Sequence, residues 1–114
     1  MSEIRLVARF TIREGKREAF EVLARTCLET VQQKDSETLA YDWFFSPDGS
    51  ECVVQELYRD SAAVLTHIGH VGETLGQLGE VADLRAELYG TPSNALVDAL
   101  AGVDCTVYTP FQGL

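Results

Sequence analysis

The chain has 114 residues, nine Lys and Arg against eighteen Asp and Glu, and a formal net charge of −9. That length fits one domain, and 46% hydrophobic residues suit a chain that buries a core and argue against a disordered one. The acidic balance argues against nucleic acid or an anionic membrane surface as a partner, because both are bound through clustered positive charge.

From Glu3 to Ile12 the pattern alternates, with Ile4, Leu6, Ala8, Phe10 and Ile12 on one face and Arg5, Val7, Arg9 and Thr11 on the other. This predicts a half-buried strand. From about Glu14 to Gln33 the period lengthens, and Phe20, Leu23, Cys27, Leu28 and Val31 fall at the spacing of an amphipathic helix. Two further strands are expected over Thr38–Phe45 and Glu51–Arg59. Pro47-Asp48-Gly49 between them is a turn sequence, so the pair should be an antiparallel hairpin.

A second helix should start at Ser61, capped by Asp60 or Ser61, and run in broken form to Leu78. Gly69, Gly72 and Gly76 each lower helix propensity by about 1 kcal/mol against alanine, which predicts a break near Gly69. A fourth strand follows, with Ala82, Leu84, Ala86 and Leu88 alternating against charged residues. Thr91-Pro92 reads as an N-cap with proline at the first helical position, opening a short helix that ends at Gly102, and Val103–Thr109 reads as a last strand. The order βαββαβ with an added αβ predicts an α+β, ferredoxin-like fold: an antiparallel sheet with helices on one face. Trp43, Phe44 and Phe45 are consecutive, so both faces of that strand carry an aromatic. Helices cover only one face, and a second copy of the same sheet is the simplest cover for the other, which predicts a homodimer.

Met1-Ser2-Glu3 leads into the first alternating segment and not into a basic start with an apolar run, so no secretory leader is expected. No stretch has the apolar length of a membrane span. Cys27, Cys52 and Cys105 are odd in number and far apart, which fits neither a disulfide framework nor a zinc site. The expectation is three buried thiols in a reducing cytoplasm.

Only His67 and His70 are histidines. On an unbroken helix, Val64, Ile68, Val71, Leu75 and Leu78 define the buried stripe, His67 lies at its edge and His70 turns toward solvent. His67 is then either a core-edge imidazole satisfied by a carbonyl or hydroxyl, or a catalytic group facing the sheet. On the third strand Glu56 shares a face with Cys52, Val54 and Tyr58. A carboxylate among apolar neighbours must be paired, protonated or marginal; it either orients His67 or contacts substrate, or pairs with Arg5, Arg9 or Arg85. His67, His70 and Glu73 are evenly spaced but turn progressively around the helix, so no metal site is expected from them. No phosphate loop, dinucleotide fingerprint or nucleophile elbow is present.

The run Glu56-Leu57-Tyr58-Arg59-Asp60-Ser61-Ala62-Ala63-Val64-Leu65-Thr66-His67, with the upstream aromatic strand carrying Tyr41 and Phe45, resembles the central signature of the antibiotic biosynthesis monooxygenase family. The resemblance implies a dimeric α/β-barrel of ferredoxin-like subunits. It puts His67, Tyr58, Glu56 and Trp43 in catalytic roles around a pocket between sheet and helices, with Tyr41, Phe45, Val64, Ile68 and Val71 as substrate contacts. It also implies an oxidation of a phenolic or quinol-type small aromatic by dioxygen that needs no cofactor and no metal. Three alternatives stay open on the same scaffold: a non-catalytic small-molecule-binding dimer, a haem-binding or haem-degrading protein, and an isomerase or cyclase. Gly72 stands where the family often has a second histidine or aromatic, and the first strand lacks the asparagine of haem-degrading members. Thr91–Leu114 extends beyond the minimal family pattern.

Overall fold

The computed structural model describes residues 3–114. In chain order the elements are β1 (Ile4–Ile12), α1 (Arg17–Lys34), β2 (Thr38–Phe45), β3 (Glu51–Tyr58), α2 (Ser61–Leu78), β4 (Ala82–Tyr89), α3 (Asn94–Ala99) and β5 (Cys105–Tyr108). The strands form one open sheet in the order β2-β3-β1-β4-β5. Its first four strands are the antiparallel ferredoxin-like core.

Side-chain parity sets which face is covered. Ile4, Leu6, Phe10 and Ile12 of β1 are buried while Arg5, Arg9 and Thr11 are exposed. The pairings Leu6↔Glu56 and Leu6↔Leu88 carry that parity onto β3 and β4. On α1, Phe20, Ala24, Cys27 and Val31 recur at steps of three or four and face the sheet. One core cluster joins β1 and β3 to α1 and the distal part of α2 through Phe10, Phe20, Cys27, Val54, Val71 and Leu78. A second joins Ile4, Tyr58, Val64, Leu88 and Leu96. The β2–β3 turn forms as expected: Asp48 accepts hydrogen bonds from the Ser50 amide at 3.0 Å and from the Ser46 and Ser50 hydroxyls, and Gly49 takes φ +75°.

Three expectations are corrected. First, α2 does not break at Gly69; it is continuous from its Asp60 cap, whose side chain accepts from the Ala63 amide at 2.8 Å. Gly69, Gly72 and Gly76 all lie on its exposed side, and the burial of Val64, His67, Val71 and Leu78 on the other side outweighs their poor propensity. Second, the cap of α3 is Ser93, accepting from the Leu96 amide at 3.2 Å, and not Thr91; the helix ends at Ala99, before Gly102. Third, the sheet is not wholly antiparallel: β5 runs parallel to β4, because the chain crosses over through α3 before returning.

Cys27 and Cys52 are fully buried and Cys105 is half-buried, and all three are free thiols. Burial pushes Cys27 and Cys52 each up to about 11, so neither is a ready nucleophile. Among the described residues no helix is long and apolar enough to cross a membrane.

Candidate active site

Where the two core clusters meet, the sheet and helices leave a cavity of about 140 Å³. Its wall is almost entirely apolar, and the side chains that can exchange or share a proton within it are Tyr41, Glu56 and His67. β3 presents Glu56 toward the helices, β2 places Tyr41 opposite Glu56 and Trp43 opposite Val54, and α2 brings His67 across from above. Tyr41 and Tyr58 each hold the imidazole of His67 at a ring-centre distance of 5.1 Å, fixing it from two sides.

The imidazole is fixed chemically as well. His67 Nδ1 lies 2.8 Å from Asp35 Oδ2, and His70 Nδ1 lies 2.6 Å from Asp35 Oδ1. The Thr38 hydroxyl donates to the same carboxylate at 2.7 Å. An ionised carboxylate only accepts, so each histidine presents Nδ1–H to Asp35, and His67 keeps the free lone pair on Nε2. The Asp35 side chain is only 3% exposed. Burial raises its pKa, but the hydrogen bonds from Thr38, His70 and His67 outweigh this and hold it below the usual carboxylate value. His67 is pushed below the ordinary imidazole value by burial, against the pull of Asp35, so its neutral, basic form is favoured near pH 7.

Nε2 of His67 is 3.9 Å from Glu56 Oε1, too long for a hydrogen bond but close enough for the two groups to share one reacting atom between them. Burial lifts Glu56 to about 7, with the Tyr58 hydroxyl, donating to Oε1 at 2.5 Å, pulling the other way. Burial and the neighbouring Glu56 charge push the Tyr58 and Tyr41 phenols upward, so both stay neutral. A neutral imidazole, lowered by burial, and a carboxyl raised by burial thus face each other across a mostly apolar cavity.

Of the residues singled out from the sequence, the fold brings His67, Glu56, Trp43, Tyr41 and Ile68 to the cavity wall. Tyr58 is fully buried behind the wall and does not line the cavity itself; it touches Glu56 through its hydroxyl and His67 through its ring. Phe45, Val64 and Val71 do not line it. Phe45 sits at the hairpin end under the Arg17 guanidinium, 4.1 Å from its ring centre, while Val64 and Val71 are consumed in the two core clusters. Glu56 does not pair with arginine, because Arg5, Arg9 and Arg85 are on the opposite face, where Arg9 meets Glu87 at 3.3 Å. The partner that orients His67 is Asp35, and sequence reasoning missed it. It lies 32 residues away in the α1–β2 connection, and the one available signal was a pair of histidines three apart, whose rings can converge on a single acceptor. Ala99, Leu100 and Val103, from α3 and the loop after it, close the cavity and were not anticipated either.

A haem does not fit this site: a cavity of about 140 Å³ is far smaller than a porphyrin, and His67 Nε2 faces Glu56 across it.

A family model for antibiotic biosynthesis monooxygenases matches residues 3–71. No curated protein sequence matches the chain. Among solved structures, MupZ from Pseudomonas fluorescens superposes with a TM-score of 0.85 at 21% identity, covering 100% of this chain and 94% of its own. Rv0793 from Mycobacterium tuberculosis gives 0.72 at 26% identity, with 82% and 99% covered. A Caulobacter crescentus protein described as a candidate antibiotic biosynthesis monooxygenase gives 0.70 at 21% identity, with 76% and 87% covered.

Proposed function

Because the chain belongs to the antibiotic biosynthesis monooxygenase family, we propose that it is a cofactor-independent monooxygenase acting on a small phenolic or quinol-type substrate. The observation that carries the reading is the Asp35–His67 pair, with Nε2 free over an apolar cavity. A hydroxyl of the substrate gives its proton to Nε2, and the imidazolium is stabilised by Asp35. The resulting phenolate passes one electron to dioxygen. The two radicals join in a carbon–oxygen bond at a ring carbon that bears hydrogen, the imidazolium returns its proton to the peroxide, and loss of water from the hydroperoxide leaves one oxygen atom in the product carbonyl and the other in water.

For a simple phenol near pKa 10 and an imidazole near 6.5, the proton transfer is uphill by roughly 5 kcal/mol. A lowered His67 makes it steeper, so the reading favours substrates whose hydroxyl is already acidified by a ring carbonyl or a second hydroxyl. Size narrows the choice further. An apolar cavity of about 150 Å³ holds one benzene ring, and this one is of that size, which supports a single-ring head group.

The active unit in this reading is a homodimer in the cytoplasm. Val7, Val53 and Leu57 are half-buried on the open sheet face and Phe44 is half-exposed there, which supports a second sheet as its cover.

The reading is tested by oxygen uptake with a panel of monocyclic quinols and hydroxybenzaldehydes. Uptake should fall at least a hundredfold in His67→Ala; equal uptake by both proteins would overturn it. A second reading, acid–base isomerisation or cyclisation without dioxygen, is favoured by one observation: a carboxyl near pH 7 beside the base. Turnover under strict anaerobiosis separates the two.

A further inference from the structure

Two of the side chains that close the cavity, Leu100 and Val103, also border a second hollow of about 220 Å³ on their far side. Ala86 borders the first hollow and Leu88 the second. These are successive residues on one face of β4, about 7 Å apart, so the two spaces lie end to end along the strand. Leu88 and its β5 partner Val107 border the second hollow, as does Val97 of α3. No charged side chain borders it among the described residues. Val97, Val103 and Val107 are 46%, 37% and 41% exposed, an unusual concentration of branched apolar side chains in water.

We propose that this groove receives an aliphatic tail carried by the substrate whose hydroxyl-bearing head lies at His67. The inference rests on the reading of the cavity as the substrate site. The main cavity alone is below the roughly 300–1,000 Å³ of ordinary ligand sites, and with the groove it reaches the lower end of that range. Leu100 is the partition between them. It is half-buried at the C-terminal cap of α3, and with Val103 it lines both spaces. The groove has no polar side chain positioned to select a head group, which suits a saturated or polyene chain and not a peptide or sugar.

Trp43 lines the main cavity and is the single tryptophan of the chain, so its fluorescence reports binding directly. Two probe series are titrated: 4-alkylphenols with zero to eight side-chain carbons, and 1-alkanols from butanol to decanol. Affinity should rise about two- to fourfold per methylene until the groove is full, then level off. In Val97→Asp and Val107→Asp, each at an exposed position and each checked for a cooperative urea transition, the gain per methylene should fall to near one. A flat series in the unaltered protein, or a slope unchanged in both variants, overturns the proposal. So does a change in particle mass by light scattering in the variants without a change in slope, which would make the groove a contact between copies of this chain. A length-dependent alkanol series with no added affinity for the phenol ring would leave the tail site standing and remove the aromatic reading of the head.

Discussion

Replacing Glu56 with glutamine isolates the cost of burying its charge. The amide oxygen can still accept from the Tyr58 hydroxyl, so the packing and that hydrogen bond survive while the titration disappears. Burial, net of the opposing pull of Tyr58, lifts the Glu56 carboxyl from 4.5 to about 7. Between those values the folded protein holds a proton that the unfolded chain has released, so stability falls as pH rises through this window and the full penalty is present above it. The difference corresponds to about 3 kcal/mol, and the Glu56 side chain, 9% exposed, is sheltered enough for solvent to screen little of it. Urea unfolding at pH 5 and pH 8.5 measures the effect. Glu56→Gln should lie within about 1 kcal/mol of the unaltered protein at pH 5, where the window has just opened, and exceed it by about 3 kcal/mol at pH 8.5. A stability difference that stays constant across this range would refute the claim that this carboxyl is buried at the cost of its charge.

Other substitutions test the rest of the site and fold. Asp35→Asn can accept from only one histidine, so kcat should drop by about 10²–10⁴ and stability by about 2–4 kcal/mol at pH 7, read by steady-state assay and urea unfolding. The contribution of Asp35 is present above the ordinary carboxylate pKa and is lost as pH falls through its lowered folded value, so the stability gap should close in strong acid. Gly72→Ala and Gly76→Ala, where an added methyl meets nothing within 4 Å, should each raise stability by about 0.5–1 kcal/mol in thermal melts. Asp60→Ala removes the α2 cap and should lower it by about 1 kcal/mol.

The strands were legible because parity is a local signal: Ile4, Leu6, Phe10 and Ile12 alternate against arginines wherever the chain pairs, and the turn at Pro47–Gly49 fixes one register. The continuity of α2 was not legible, because propensity is written at Gly69, Gly72 and Gly76 while the compensating burial of Val71 and Leu78 depends on α1 and the sheet. His67 and Glu56 could be placed on facing surfaces from period alone. Asp35 could not: a single acidic residue in a connection carries no pattern, and its role exists only after α1 and α2 pack side by side. Phe45, Val64 and Val71 were on the correct face, yet face alone does not distinguish a residue beside a void from one in solid packing, as Val64 and Val71 are, or from one at the exposed end of a hairpin, as Phe45 is.

The β4–α3–β5 crossover has a further consequence. The ionisable side chains of the cavity, with Asp35 behind His67, lie between residues 35 and 67, whereas the roof, Ala99 to Val103, comes from a short contiguous stretch near the end of the chain. The ionisable wall and the apolar roof of the cavity are therefore encoded in separate blocks of sequence. Substitutions at Ala99, Leu100 and Val103 alone would reshape the mouth of the cavity while leaving the fully buried Leu96 and the imidazole of His67 in place.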